Sequence, residues 1–140
     1  MRVMVLVKAT PDSEAGRLPS AELLEAMGKY NQMLADAGVL LSGEGLRRSA
    51  EGKRVHFSGQ LRSVADGPFE AVDELIAGFW IWQVEDMSQA IELVKLCPNP
   101  MPGPSTIEIR PLIELGDLGE AMSDELAEQE AELRERLEGR

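Results

Sequence analysis

Two carboxylates stand where they can do chemistry. Asp66 opens the tetrapeptide Asp66-Gly67-Pro68-Phe69, and a carboxylate shielded from water in a cleft serves as a general base or holds a ligand. The alternative is a turn carboxylate satisfied by backbone amides, because Asp, Gly and Pro each favour tight turns. Glu44, just before Gly45, is the second candidate for moving a proton, its alternative being a solvated strand end. Phe69, Trp80 and Trp82 can wall an apolar pocket, since sites for organic ligands are mostly aromatic with a few placed polar groups. They can equally be core or dimer interface. Trp80 and Trp82 are two residues apart in a strand pattern and so share a face. Tyr30 and Asn31 are polar groups on an otherwise apolar helix face. Glu14 either caps the loop before that helix or reaches the cleft from the end of the first strand. Lys8 ends a strand, where a snorkelling surface lysine is the common case.

Other chemistries find little support. Cys97 lies on the apolar face of a helix with no nearby His or Lys to lower its pKa, which reads as a buried inert thiol rather than a nucleophile. His56 sits in an alternating strand and reads as a surface residue. One His and one Cys fall short of the roughly four ligands of structural zinc, and nothing in the carboxylate spacing selects a magnesium site. Gly43 and Gly45 are too sparse for a phosphate loop, and there is no G-x-S-x-G element. No cofactor and no metal are expected.

The chain that must position these groups has 140 residues, 44% of them hydrophobic, with a net charge of −11. That suits one globular domain needing no staple. The charge repels phosphate backbones and anionic lipid, which argues against nucleic-acid binding. From Glu114 onward ten acids face only Arg134, Arg136 and Arg140, so the tail holds most of the excess. A single cysteine forbids an internal disulfide and suits a reducing cytoplasm. The apolar run Val3–Val7 is too short for a signal-peptide core, and no stretch approaches a membrane span.

Val3, Val5 and Val7 alternate with Met4 and Leu6, predicting a strand over 2–8 that needs cover on both faces. A loop from Thr10 to Gly16 leads to Ser20, the N-cap of a helix carrying Leu23, Met27, Tyr30 and Leu34 to its C′ residue Gly38. Residues 39–46 read as a strand. Arg54–Phe57 and Gln60–Val64 around Ser58-Gly59 read as a hairpin. After the Asp-Gly-Pro-Phe turn an amphipathic stretch runs to Gly78, then Phe79–Val84 forms a second two-faced strand. Asp86 or Ser88 caps a helix that Pro98 halts. The Pro-rich connector 98–104 is irregular, Ile107–Pro111 is a last strand, and Ser123 starts a helix with Leu126, Leu133 and Leu137 and with Glu130–Arg134 and Glu132–Arg136 pairs. Helices on one face of a mostly antiparallel sheet make an α+β domain. A second copy is the simplest cover for the other face, so a homodimer with sheets face to face is expected.

These residues resemble the YciI-like, Asp-Gly-Pro-Phe domain family from Met1 to about Arg110. The carriers are Lys8-Ala9-Thr10 with Ser13-Glu14-Ala15-Gly16, Pro19-Ser20, Gly43-Glu44-Gly45-Leu46, Asp66-Gly67-Pro68-Phe69, Ala77-Gly78-Phe79-Trp80 and Cys97-Pro98. The resemblance implies a ferredoxin-like βαββαβ domain over 1–113 that pairs into a dimeric α+β barrel, with an extra hairpin, and leaves 114–140 as an acidic, largely helical extension. The family's usual Glu two residues after the Phe and Lys four after it are here Ala71 and Asp73. The His–Asp pair of YciI itself does not carry over, His56 being the chain's one histidine.

Two functions follow as expectations. In the first, a cytoplasmic dimer binds a small organic molecule in the cleft between helices and sheet and catalyses a cofactor-free isomerisation or oxygenation. Asp66 or Glu44 then moves the proton, and Lys8, Glu14, Tyr30, Asn31, Phe69, Trp80 and Trp82 shape the pocket. In the second, the protein is a non-catalytic interaction module, associated through the barrel edge or the acidic tail with a protein such as an alternative sigma factor, as the resemblance implies.

Overall fold

A computed structural model describes residues 1–139. β1 (Arg2–Lys8) has Val3, Val5 and Val7 on one buried face and half-buried residues on the other. α1 (Pro11–Glu14) is a single turn where a loop was expected. It forms because Thr10 and Ser13 cap each other reciprocally and proline occupies the first turn. α2 (Ala21–Asp36) begins at Ser20, whose hydroxyl accepts from the Leu23 amide, and ends before Gly38 at φ +73°. β2 (Leu40–Gly45) follows. β3 (Lys53–Ser58) and β4 (Leu61–Asp66) form the expected hairpin, turning through Gly59 at φ +56°.

β5 (Ile76–Gln83) starts three residues earlier than its periodicity suggests. Only one turn of 3-10 helix, Val72–Glu74, precedes it. Backbone partners decide this: Lys8 pairs with Ile76, the Ala9 amide donates to Leu75 O at 3.0 Å, and the Leu46 amide donates to Ala77 O at 2.7 Å. α3 (Met87–Lys95) is capped by Asp86, which accepts from the Gln89 amide, rather than by Ser88. It ends before Cys97 and Pro98. β6 (Ile107–Pro111), a 3-10 segment Leu115–Ala121 and α4 (Asp124–Glu138), capped by Ser123, complete the chain. Among the described residues no helix is long and apolar enough to cross a membrane.

The main sheet has the order β2-β5-β1-β6, antiparallel throughout, and β3-β4 stands as a separate two-stranded sheet. This is an α+β fold. Val3, Val5, Val7, Trp80 and Trp82 form the core with Tyr30 and Leu34 of α2 and Ala90 of α3. The opposite face carries the apolar centre Met4, Leu6, Phe79 and Ile81, each half-buried. The extension is tied to β1 by Arg2, whose Nε and Nη2 donate to the two Glu114 oxygens at 2.9 Å. That pair holds the exposed Glu114 carboxyl below its usual range and raises Arg2. Of the two ion pairs expected in α4, Glu130–Arg134 is present at 3.7 Å, and Glu132 and Arg136 do not meet. Leu126, Leu133 and Leu137 are exposed, because it is Ala127, Glu130 and Arg134 on another stripe of α4 that are half-buried.

Trp82 is fully buried, yet its Nε1–H has no acceptor. An unpartnered buried donor costs about 1–3 kcal/mol, and Phe removes that donor along with some packing. Trp82→Phe should therefore change stability by less than about 1 kcal/mol, whereas Trp82→Ala should cost about 3–5 kcal/mol. Urea midpoints of the two variants check this.

Candidate functional site

An open cleft of about 1360 Å³ lies between α2 and the β2–β5 edge of the sheet. Its helix wall is Leu23, Met27 and Asn31, spaced four apart and so stacked along one stripe. Its floor is Gly43, Gly45 and Gly78, with Gly45 paired to Gly78. The missing side chain at Gly45 leaves open space, a Cβ there meeting nothing within 4 Å. Leu40 and Trp80 add apolar surface, and Pro100 and Met101 close one side. The connector is ordered by Asn99, whose Oδ1 accepts from the Met101 amide at 3.0 Å and from Ser105 Oγ at 2.7 Å, and whose Nδ2 donates to Gly103 O at 2.9 Å.

Of the residues expected to form the site, Asn31 and Trp80 line this cleft, and Glu44 borders it only along β2, its side chain turned with Phe79 to the other face of the sheet. Trp80 lies over Gly43 and donates from Nε1 to Asn31 Oδ1 at 2.9 Å. Tyr30 meets Trp80 edge-on with centroids 6.0 Å apart, but its hydroxyl donates into α3, to Leu93 O at 2.6 Å. Burial raises the Tyr30 phenol well above its ordinary pKa, so it acts as a fixed donor. Trp82 packs beneath Trp80 in the core, 5.9 Å away. Lys8 lies at the end of β1 and is not part of the cleft wall.

Glu14 and Phe69 are brought together elsewhere, at Ser49. The Glu14 carboxylate accepts from the Ser49 amide at 2.9 Å and from the Ser49 hydroxyl, and the Phe69 amide donates to Ser49 Oγ at 3.0 Å. Glu14 is thus a strut between α1 and the 3-10 turn Ser49–Glu51, which is neither of its expected roles. The Phe69 ring lies under the Arg54 guanidinium, 3.8 Å from its centroid. Gly67 presses on the same turn, where a Cβ would lie 1.7 Å from Ser49 O. Asp66 stands outside the cleft at the base of the hairpin, largely exposed, with Lys53 Nζ at 2.8 Å. A solvated, ion-paired carboxylate lacks the shielding that would make it a general base.

A scan of family models matches the YCII-related domain over residues 1–115. The chain belongs to the YCII-related domain family. A search of curated proteins finds no match. In this YCII-related chain the Asp-Gly-Pro-Phe motif braces the segment that carries Arg47 and Arg48 to the cleft rim.

Those two arginines and Arg17 line the cleft, and sequence reasoning missed all three. They sit in segments without periodicity. Their only sequence signal is that three of the chain's 14 cations fall beside the family's loop and Gly-Glu-Gly-Leu motifs. Arg17 pairs with Asp12 at 3.2 Å and Arg47 with Glu51 at 3.1 Å, both on the surface. Among the described residues Arg48 and Glu44 make no ion pair or side-chain hydrogen bond. No three His, Cys, Asp or Glu side chains gather to hold a metal among the described residues.

Burial pushes the Cys97 thiol up to about 11. At pH 8 its thiolate fraction should be about 100-fold below that of a thiol with the ordinary value of 9.0, so a thiol reagent should modify the native protein about that much more slowly than the urea-unfolded chain. Across the window from the unfolded thiol's ordinary value to about 11, the native state keeps a proton that the unfolded chain has released. This contribution to stability is therefore lost as pH rises through that window.

Proposed function

We propose that this protein is a homodimer that binds a small organic molecule in the cleft between α2 and the sheet. The observation that carries the reading is the glycine-floored cleft, larger than the roughly 300–1,000 Å³ usual for organic ligands and walled by apolar groups beneath a charged rim. The strand order β2-β5-β1-β6 supports a ferredoxin-like topology. The apolar centre Met4, Leu6, Phe79 and Ile81 supports pairing of two sheets face to face into a barrel. Glu44 borders the cleft, but in β2 it alternates with Gly43 and Gly45 and stands opposite Phe79, so its side chain turns to the other face of the sheet and we assign it no proton transfer in the cleft. A cytoplasmic location fits the single thiol.

Titration with the neutral fluorophore N-phenylnaphthylamine tests the cleft. A Cβ on Gly45 meets nothing within 4 Å, so leucine there fits the backbone and fills the cleft. Gly45→Leu should weaken the fluorophore's binding at least tenfold. Equal binding by wild type and variant would place the fluorophore elsewhere and remove the reading. Sedimentation at micromolar concentration should give a dimer, and a folded monomer would remove the barrel.

One observation favours a second reading, the interaction module. The β3–β4 hairpin stands apart from the main sheet, with Val55, Phe57 and Val64 on one exposed face. Isolated hairpins are marginally stable, so a protein partner would have reason to cover it. Loss of a co-purifying protein on Phe57→Ser, with fluorophore binding unchanged, would support this reading over the first.

A further inference from the structure

Resting on that cleft reading, we propose that the ligand is an organic anion with an apolar body, whose anionic group is taken by Arg48. The cleft contains three arginines and three carboxylates. Two of each neutralise one another as Arg17–Asp12 and Arg47–Glu51. Arg48 remains without a carboxylate partner among the described residues, and the side chain of Glu44, opposite Phe79, turns to the other face of the sheet.

Arg48 is also held in place before any ligand arrives. Its side chain lies across Gly16, where a Cβ would come within 3.5 Å of Nη1, and Gly16 makes its turn at φ +80°. The next residue, Ser49, is clamped by the Glu14 carboxylate and by the Phe69 amide. A guanidinium whose backbone is held loses less freedom on binding, and its planar fork matches a carboxylate, sulfonate or phosphate. The net charge of −11 repels anions at a distance. Selection of an anion must therefore be local. The apolar body lies between Met27 and Trp80.

A matched pair of fluorophores tests this on the intact protein. Anilinonaphthalene sulfonate and N-phenylnaphthylamine share an aromatic body and differ by one sulfonate. Wild type should bind the sulfonate at least tenfold more tightly at low salt. Arg48→Gln should remove that preference while leaving the neutral amine's affinity within about twofold, and Arg48→Lys should restore part of it. Equal affinities for the two fluorophores, or a sulfonate preference that survives Arg48→Gln, would overturn the anion assignment and leave the cleft reading standing. If Gly45→Leu moves neither fluorophore, both fall together.

Discussion

Gly67→Ala should destabilise the protein by about 3 kcal/mol or more, the upper end of what overpacking costs. The added Cβ would lie 1.7 Å from Ser49 O and 2.6 Å from Ser49 C, and both are backbone atoms. Ser49 cannot yield cheaply. Its amide and hydroxyl are bonded to Glu14, its Oγ accepts from Phe69, and its carbonyl accepts from the Gly52 amide at 2.9 Å. Relief therefore requires the hairpin base or the whole 3-10 turn to move, which breaks several of these bonds together. The melting temperature should fall by about 10 °C or more. Because the same turn carries Arg47 and Arg48, binding of the sulfonate fluorophore should weaken as well. Gly45→Ala is the control, since its Cβ meets nothing. A Gly67→Ala loss below about 1 kcal/mol in thermal or urea unfolding would show that the motif does not brace this turn.

Gly43→Val should cost about 2–3 kcal/mol, again by overpacking, although a β-branched residue is otherwise favoured in a strand. Its Cβ would stand 2.5 Å from Trp80 Cδ1 and 3.2 Å from Nε1. The indole cannot swing aside freely, being hydrogen-bonded to Asn31 and packed between Tyr30 and Trp82. Displacing it should release the Asn31 bond, shift tryptophan emission to the red and lower the neutral fluorophore's affinity at least tenfold. Unchanged emission together with wild-type stability would mean that Trp80 is not seated on Gly43.

The elements that the sequence made legible are those with local causes. Ser20 caps α2 through an amide three residues away, Gly38 ends that helix at positive φ, and Gly59 turns the hairpin. Helical and strand periods put Asn31 and Trp80 beside apolar faces, and both border the cleft, whereas Glu44 is turned from it by the same two-residue period. Local signals also misled. The amphipathic pattern before Gly78 yielded to strand pairing with β1, since backbone amides of Ala9 and Leu46 are satisfied there. The leucines of α4 are exposed, and the half-buried stripe of that helix is another one.

Asp66 and Glu14 mark the limit of reading a carboxylate from its neighbours in the chain. The partner of Asp66 is 13 residues away across a hairpin, and that of Glu14 is 35 residues away in a turn. Whether a carboxylate is a base, a strut or one end of a surface ion pair depends on such partners.

Composition, caps and periodicity were enough to determine an α+β chain with two-faced central strands, a hairpin, a charged helical tail and a motif specific to its family. Only the tertiary structure decided where the empty space lies and which charges border it. Side-chain period is a property of a few consecutive residues. A cleft instead forms where glycines of β2 and β5, 33 residues apart between Gly45 and Gly78, happen to pair, and where a strut from Glu14 sets Arg48 at its rim.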